Sequence, residues 1–380
     1  MVLSDINARA ITFPEDTGQY PVDALRRLLA WTSSIDASRV ELRSDSPVMI
    51  RRYNVNHDVT RGRLRTEEVE AILDSLYEGN GASSGVKRKR AMDFSTAILP
   101  DGHRGRRYSY RINAHACQVG VRPGISVVIR PLVDVPRTKE EQGVEPLLDE
   151  GMDGGPGLYW ITGGTGHGKS TLLGGFVRSW LENPDLDFNI LEGSAPIEIL
   201  YDLIARKRST ICQIDIPTNL ETFKDFIETS ARKEATHIIV QEVRDAGTMM
   251  AAIQAGIMNH RMLASLHTNS IRSTIGRINS LCPPDQREDM ANNVAEHSRV
   301  IVNQRLVESR DGKRIAIREF VRVDRRLRDS LLDNPVRRWS GLFKDAIADR
   351  GQTYDVSIAR ALKAGLITDA VAGRASREDD

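Results

Sequence analysis

The chain has 380 residues, more than one hydrophobic core usually organises, so we expect at least two domains. Its 53 basic and 52 acidic residues leave a formal net charge of +1, which removes any whole-chain electrostatic reason to bind nucleic acid or an anionic membrane. The three cysteines form no C-x-x-C pair, which argues against a disulfide framework or a zinc site.

The N-terminal sequence, residues 1–7, lacks a basic region followed by an apolar run. No stretch approaches the roughly 18 continuous apolar residues of a membrane span. We therefore expect a cytoplasmic protein that associates peripherally with the inner membrane through its partners.

Residues 1–134 predict an N-terminal α+β domain, with an amphipathic helix at 66–77. Its strands are predicted from apolar or alternating segments at 40–43, 48–50, 108–113 and 125–129. Residues 135–156 are rich in proline, glycine and acidic residues and have little periodicity, so they predict a linker.

Residues 157–326 predict an α/β domain, because short apolar strands alternate there with helical patterns. The predicted strands lie at 158–161, 190–191, 236–240, 262–265 and 300–302. A helical segment is predicted at 327–380. The predicted fold class is α/β, preceded by the α+β domain.

The segment from Gly163 to Thr171 fulfils the phosphate-loop pattern G-x-x-x-x-G-K-S/T, between a predicted strand and a predicted helix. Glycines let successive N–H groups turn toward a β-phosphate, Lys169 can reach the β/γ oxygens, and the Ser170 hydroxyl can ligate Mg²⁺. A chance glycine-rich turn is the alternative, and the flanking elements argue against it. The predicted nucleotide-binding residues are Gly163, Gly164, Thr165, Gly166, His167, Gly168, Lys169, Ser170 and Thr171.

Glu242 ends an apolar run that begins at residue 236, which makes it the Walker B candidate that reaches the Mg²⁺ of a bound nucleotide. An ordinary strand end is the alternative. Glu192 and Glu198 lie on either side of a predicted turn at 193–196, and either could orient the attacking water or the metal shell. The alternative for both is a solvated loop acid.

His267 follows another apolar strand and could sense a γ-phosphate, whereas a structural histidine is the alternative. Arg111, Arg122 and Arg130 lie outside the nucleotide domain, and a cation delivered across a domain or subunit boundary can offset transition-state charge. They are therefore arginine-finger candidates, with solvated surface arginines as the alternative. The basic run 86–90 is interpreted as a solvated loop, with contact to nucleic acid or acidic lipid as the alternative.

Four segments resemble, in order, the Walker A, aspartate-box, Walker B and histidine-box signatures of the secretion ATPase superfamily of type II and type IV secretion. These segments are 163–171, 195–198, 241–245 and 260–270. The PilT-like branch, which includes pilus retraction motors, is the most similar. Residues 195–198 and 201–202 resemble the type IVB secretion and conjugative plasmid-transfer ATPases of the DotB and TraJ kind.

The likeness extends upstream to 111–114 and 130–131, which resemble the arginine-bearing end of the family's PAS-like domain, and downstream to 359–367, which resemble its helical C-terminal segment. The resemblance implies a homo-hexamer that binds ATP and Mg²⁺ between a PAS-like N-terminal domain and a RecA-like P-loop core. It also implies an inner-membrane secretion or transfer complex as partner, including a second ATPase.

Two positions depart from the family pattern. Gln241 stands where the family usually has glycine before the Walker B acid. Ser194 stands where the aspartate box has an acid, and Glu192 is displaced from that position by two residues. This leaves open whether Glu192 or Glu198 orients water.

Three functions remain open from the sequence. The first is a motor for type IVB secretion or conjugative transfer, and the second is a type IV pilus retraction motor. The third is a nucleotide-gated docking scaffold with little hydrolysis. Direct DNA pumping is not favoured, because the charge balance is neutral and no DNA-binding motif is present.

Overall fold

The computed structural model describes residues 11–52, 55–77, 81–99, 107–133, 135–216 and 218–377. The N-terminal residues 1–7, residue 134 at the predicted domain end, and residues 378–380 of the predicted helical segment lie outside these ranges. The chain forms two compact units. The first comprises Met1–Asp134 and Pro196–Leu200, and the second comprises Val135–Ala195 and Tyr201–Asp380.

The first unit contains a six-stranded antiparallel sheet in the order β3-β2-β1-β6-β5-β4. Its strands are β1 Arg39–Arg43, β2 Met49–Arg52, β3 Val55–Asp58, β4 Met92–Ile98, β5 Tyr108–Val119 and β6 Arg122–Pro131. Its helices are α1 Val22–Ser34, α2 Thr66–Leu76 and α3 Ala82–Lys87.

Helix α2 shows how this core forms. Val69, Ile72, Leu73 and Leu76 recur at helical spacing and are all buried in one cluster with residues of the sheet. The basic run 86–90, interpreted as part of a loop, instead begins in the last turn of α3. Strands β3 and β4 were not predicted, because their residues are largely polar or exposed.

The second unit contains a seven-stranded sheet in the order β13-β12-β7-β11-β10-β8-β9, parallel except for the β12–β13 pair. Its strands are β7 Gly157–Thr162, β8 Asn189–Ser194, β9 Thr210–Asp215, β10 His237–Val240, β11 Arg261–Leu266, β12 Ser298–Glu308 and β13 Arg314–Arg322. All residues of β7 and β10 are buried, so both faces of the central sheet are covered.

Helices connect and flank these strands. They are α4 Pro146–Met152, α5 Lys169–Glu182, α6 Phe223–Arg232, α7 Ala246–Ile257, α8 Ile271–Leu281, α9 Arg287–His297, α10 Arg325–Leu332, α11 Trp339–Arg350, α12 Tyr354–Lys363 and α13 Asp369–Arg377, with a short 3₁₀ helix at Val336–Arg338. The mixed α/β fold predicted from the sequence is confirmed.

Residues 135–156, for which a linker was predicted, belong to the second unit and include α4. Leu148 and Met152 of this helix are buried, and Glu145 before it is also buried. Composition pointed to a linker because the segment carries few apolar residues; Val135 and Leu147 are exposed, and the packing of Leu148 and Met152 attaches the segment to the unit.

Candidate nucleotide site

Strand β7, the glycine-rich loop and helix α5 occur in the order that a phosphate loop requires. The φ angles of Gly163, Gly166 and Gly168 are 149°, 76° and 78°, a region that other residues rarely adopt. A Cβ atom on Gly163 would lie 2.4 Å from the carbonyl oxygen of Gln304. Helix α5 begins at Lys169, so its N-terminal N–H groups and positive dipole end lie at the loop.

Lys169 is buried, and its Nζ contacts the loop and His267. It donates to the carbonyl oxygens of Gly163 at 2.8 Å and Gly164 at 3.1 Å, and it lies 3.1 Å from Nδ1 of His267. An ammonium group has three donors and no acceptor. These are the donors that can be turned to phosphate oxygens.

His267 connects Lys169 to Glu242. Its Nε2 lies 3.1 Å from Oε1 of Glu242, and its Nδ1 also lies 3.3 Å from Oγ1 of Thr165. Because Lys169 can only donate, Nδ1 must accept and the ring proton must reside on Nε2, from which it is donated to Glu242. The orientation of the ring is thus set by these two partners.

Strand β10 ends at Val240, as predicted, and Glu242 lies two residues beyond it in the following loop. Its Oε2 accepts a hydrogen bond of 2.5 Å from Nη2 of Arg244. Burial alone would raise the pKa of Glu242, but Arg244 and His267 outweigh that effect and the pKa lies below its usual value. The carboxylate therefore stays ionised at neutral pH.

The site offers oxygen donors of the kind that Mg²⁺ prefers. Ser170 is the second residue of α5. The Glu242 carboxylate contacts His267, which directly follows β11. A hydroxyl and an ionised carboxylate fit a hard cation bound with nucleotide phosphates.

Glu192 does not lie at a turn. Strand β8 continues through Ser194, and Glu192 is fully buried between β9 and β10. Its carboxylate accepts hydrogen bonds from the side-chain amides of Gln213, at 2.8 Å, and Gln241. The prediction of a turn at 193–196 is wrong at its start, because Gly193 pairs with β10 and β9 and Ser194 pairs with β9, which keeps both residues extended.

Glu198 lies apart from Glu192, in the short segment that belongs to the first unit. Its Oε1 lies 3.2 Å from Nη1 of Arg111, and Arg111 also pairs with Asp93 at 3.2 Å. The structure therefore places the two predicted water-orienting acids in different units.

Arginines from adjacent strands form a row across the sheet of the first unit. Arg111 on β5 is opposite Arg130 on β6, the β1–β6 register places Arg39 beside Arg130, and Arg39 is opposite Arg51 on β2. Like charges in such cross-strand positions repel one another. Arg111, Arg130 and Arg39 also line one open cavity. Asp93 lines the same cavity, and Asp93 and Glu41 pair with Arg111 and Arg39, so carboxylates already balance part of this charge.

Arg122 is not part of this row. It lies at the other end of β6, opposite Val119 and next to the hairpin turn. At about 3.3 Å per residue, the eight positions between Arg122 and Arg130 separate them by roughly 26 Å.

Sequence reasoning missed two residues of β12 that contact the phosphate loop and one residue of β1 that joins the arginine row. Gln304 donates through Nε2 to the carbonyl oxygen of His167 at 2.8 Å, and the backbone N–H of Leu306 donates to His167 Nδ1 at 2.9 Å. Arg39 joins the arginine row through strand register. None of these residues lies in a recognisable motif, so only the pairing of strands could have found them.

Within the ranges that the structure describes, no helix combines the length and the apolar character needed to cross a bilayer.

Comparison with known proteins places this chain in a family. Residues 50–334 match the family described as Type II/IV secretion system protein. The type IV pilus retraction ATPase PilT of Pseudomonas aeruginosa is 25% identical over 346 residues, covering 90% of this chain and 95% of that protein.

Solved structures show the same fold. The ATPase DotB of Legionella pneumophila is 27% identical, with a TM-score of 0.85 over 96% of this chain and 99% of that chain. The pilus retraction motor PilT with bound ADP is 23% identical, with a TM-score of 0.78 over 92% of this chain and 96% of that chain. Because the family match spans more than half of the sequence, the chain belongs to the Type II/IV secretion system protein family and is an ATPase.

Proposed function

We propose that this chain is a cytoplasmic, hexameric ATPase that powers a type IVB secretion or conjugative transfer apparatus. The likeness to the Legionella ATPase DotB over nearly the full length of both chains supports this assignment. The 195–198 segment, which resembles type IVB and plasmid-transfer ATPases, supports it further. The proposed partners are further copies of this chain and an inner-membrane complex that includes a second ATPase, to which the chain binds peripherally.

The observation that carries the proposed mechanism is the hydrogen-bonded series from Lys169 through His267 to Glu242. When a nucleotide enters, Lys169 exchanges the loop carbonyls for β/γ-phosphate oxygens, and the backbone of 163–171 surrounds the phosphates. Mg²⁺, when bound, neutralises phosphate charge, and Ser170 and Glu242 would hold it. His267, already aligned by Glu242, is placed to sense the γ-phosphate.

Hydrolysis becomes mechanical work, in this proposal, when the two units close on the nucleotide. The first unit corresponds to the PAS-like domain and the second to the RecA-like core. Arg111 and Arg130 would complete the site on closure, and ATP and ADP would favour different degrees of closure. Either Glu198, carried by the first unit, or Glu192 orients the attacking water.

Phosphate release at saturating Mg-ATP by a size-fractionated wild-type protein tests this function. Lys169→Gln removes the charge that reaches the phosphates and is expected to abolish turnover, with the far-ultraviolet circular dichroism spectrum unchanged. Glu242→Gln is expected to keep nucleotide binding but lose turnover, because it weakens the metal shell. Undiminished turnover in Lys169→Gln would show that the site is elsewhere.

Glu192→Gln and Glu198→Gln, assayed in parallel, rank the two acids. Substitution of the acid that orients water is expected to lower the turnover number with little change in nucleotide affinity. Loss of affinity or of folding without a specific loss of turnover would assign that residue a structural role.

A pilus retraction motor is the second candidate. It is supported by the match to PilT, which covers 95% of that protein. A deletion strain separates the two, since loss of DNA or protein transfer supports the first function and loss of twitching supports the second. A nucleotide-gated scaffold is a third candidate, supported by the complete burial of Glu192. Nucleotide binding without measurable turnover in a hexamer-sized fraction would favour it.

A further inference from the structure

We propose that Arg318 is a positioning residue that holds the phosphate loop ready for nucleotide, acting through the side chains of Gln304 and Gln142. The proposal rests on the nucleotide site described above and adds a residue that no motif contains. Arg318 lies on β13, two strands from the phosphate-loop strand β7.

Arg318 is almost fully buried, and its guanidinium group is held on several sides. Its Nε donates to Oε1 of Gln304 at 2.7 Å, its Nη2 donates to the carbonyl oxygen of Gln142 at 3.0 Å, and its Nη1 donates to that of Gly143 at 3.1 Å. Its charge is balanced by the buried Glu145, with Oε2 at 3.2 Å from Nη1. A planar fork held in this way has a single orientation.

The first connection to the loop runs through Gln304. Arg318 has donors only, so Gln304 must turn Oε1 toward it, and the amide NH₂ must then point to the opposite side. That NH₂ donates to the carbonyl oxygen of His167 at 2.8 Å and lies 2.9 Å from where a Cβ on Gly168 would be. Arg318 thus fixes the amide in the orientation that supports the loop. A flipped amide would direct one carbonyl oxygen at another.

The second connection runs through Gln142. Its backbone carbonyl accepts from Arg318, and its Nε2 donates to the carbonyl oxygen of Thr171 at 2.9 Å. His167 and Thr171 lie on either side of Lys169 and Ser170. Arg318 therefore supports the loop on both sides of the residues that contact phosphate and Mg²⁺ in the proposed mechanism.

The ion pair of Arg318 and Glu145 offers a matched control. A third glutamine, Gln352, contacts this pair but not the phosphate loop. Gln352 Nε2 donates to Oε1 of Glu145 at 3.0 Å and to the carbonyl oxygen of Arg318 at 2.9 Å. Gln304 and Gln352 are both buried, with 2% and 4% of their surface exposed. A purely structural role for the network predicts equal effects of losing either amide.

The experiment compares Gln304→Met with Gln352→Met in the full-length protein. Three quantities are measured: the Kd for Mg-ADP by calorimetry, the unfolding temperature without nucleotide, and amide hydrogen exchange in peptides that span 163–172. We expect both variants to lower the unfolding temperature. We expect Gln304→Met alone to raise Kd, by roughly tenfold for one lost buried hydrogen bond, and to accelerate exchange in the loop.

Arg318→Lys tests the origin of the effect, since a lysine keeps the charge beside Glu145 but cannot bond Gln304, Gln142 and Gly143 in one plane. It is expected to raise Kd at least as much as Gln304→Met. Gln304→Glu retains an acceptor for Arg318 but replaces the donor to His167, so it tests the loop contact if Gln304→Met does not fold. It is expected to raise Kd as well.

Equal changes of Kd in Gln304→Met and Gln352→Met, or a wild-type Kd and loop exchange in Arg318→Lys, would overturn the proposal. Failure of the wild-type protein to bind Mg-ADP would instead contradict the proposed function. In that case the hydrogen-exchange comparison still decides whether Arg318 orders the loop.

Discussion

Gln241 and Glu192, which both depart from the family pattern, are hydrogen-bonded to each other. A glycine at position 241 could not supply the amide that Glu192 uses inside the sheet. Glu192 is fully buried, and an ionised carboxylate there requires donors on its oxygens. The unusual glutamine and the displaced acid therefore form one structural feature, which explains why they occur together.

His237 provides a pH-dependent contribution to stability. It is buried between the rings of Trp180 and Phe188, with centroids 4.6 and 4.4 Å away. Its Nδ1 lies 2.9 Å from Oγ1 of Thr236, and its Nε2 lies 2.8 Å from Nη1 of Arg261, which can only donate. Burial, and then the Arg261 charge, hold its pKa well below 6.5.

Because the folded state binds this proton less readily than the unfolded state, the contribution is complete above about pH 6.5 and is lost as the pH falls below it. His237→Phe keeps an aromatic ring in place but removes the titrating group. We expect its unfolding temperature to fall less between about pH 7.5 and pH 5.5 than that of the wild type. Identical pH slopes in thermal denaturation would contradict this interpretation.

At the scale of elements, helix α12 is tied to the strands that carry the site. Tyr354, its first residue, donates from its hydroxyl to Oδ1 of the buried Asn303 on β12. Asn303 Nδ2 donates to Oγ1 of Thr162, at the end of β7, and to the carbonyl oxygen of Thr268, next to His267. One side chain of the C-terminal helices is thus linked through Asn303 to the end of β7 and to the segment after β11.

Tyr354→Phe removes only the hydroxyl and leaves Asn303 Oδ1 without this donor. We expect a loss of roughly 1–3 kcal/mol in the free energy of unfolding, measured by urea denaturation. Val356→Ala on the exposed side of the same helix serves as control and is expected to change it by less than about 0.5 kcal/mol. Equal effects of the two substitutions would mean that the hydroxyl contributes nothing specific.

Elements with a strong local signal were predicted well from the sequence. The strands β7, β10 and β11 are short apolar runs because both faces of the sheet are covered, and the phosphate loop is set by glycines whose φ angles demand them. Strands β9 and β13 were missed, since β9 is a polar edge strand and β13 mixes charged with apolar residues.

The error at Glu192 has a physical cause. Gly193 and Ser194 have turn-like composition, but Gly193 is needed for another reason, since a Cβ there would lie 2.6 Å from the ring of Phe226. Ladder pairing with two neighbouring strands then keeps the segment extended. Long-range register also brings Arg318 to the loop and Arg39 to Arg130, and no local pattern carries that information.

At the scale of the whole molecule, the chain passes between the two units three times, after residues 134, 195 and 200. The segment Pro196–Leu200 belongs to the first unit although it joins β8 and β9 of the second. In the proposed mechanism, any movement of one unit therefore acts directly on the strand that carries Glu192. Under that proposal, this connectivity would give closure of the units a covalent route to the sheet of the nucleotide site.

The arginine row gives the closure mechanism a test with a matched control on one strand. Arg130→Ala removes an exposed arginine from the row, and Arg122→Ala removes one from the far end of β6. A finger that offsets transition-state charge is worth roughly 10³-fold or more in turnover, so we expect a loss of that order in Arg130→Ala and wild-type turnover in Arg122→Ala.

Both variants are expected to elute at the mass of six copies of the 42.4 kDa chain, with phosphate release measured on that fraction. A hexamer that retains its mass but loses turnover assigns Arg130 to the chemistry rather than to assembly. Equal turnover in the two variants would remove the arginine row from the mechanism, and loss of the hexamer in Arg130→Ala alone would make the row an assembly surface instead.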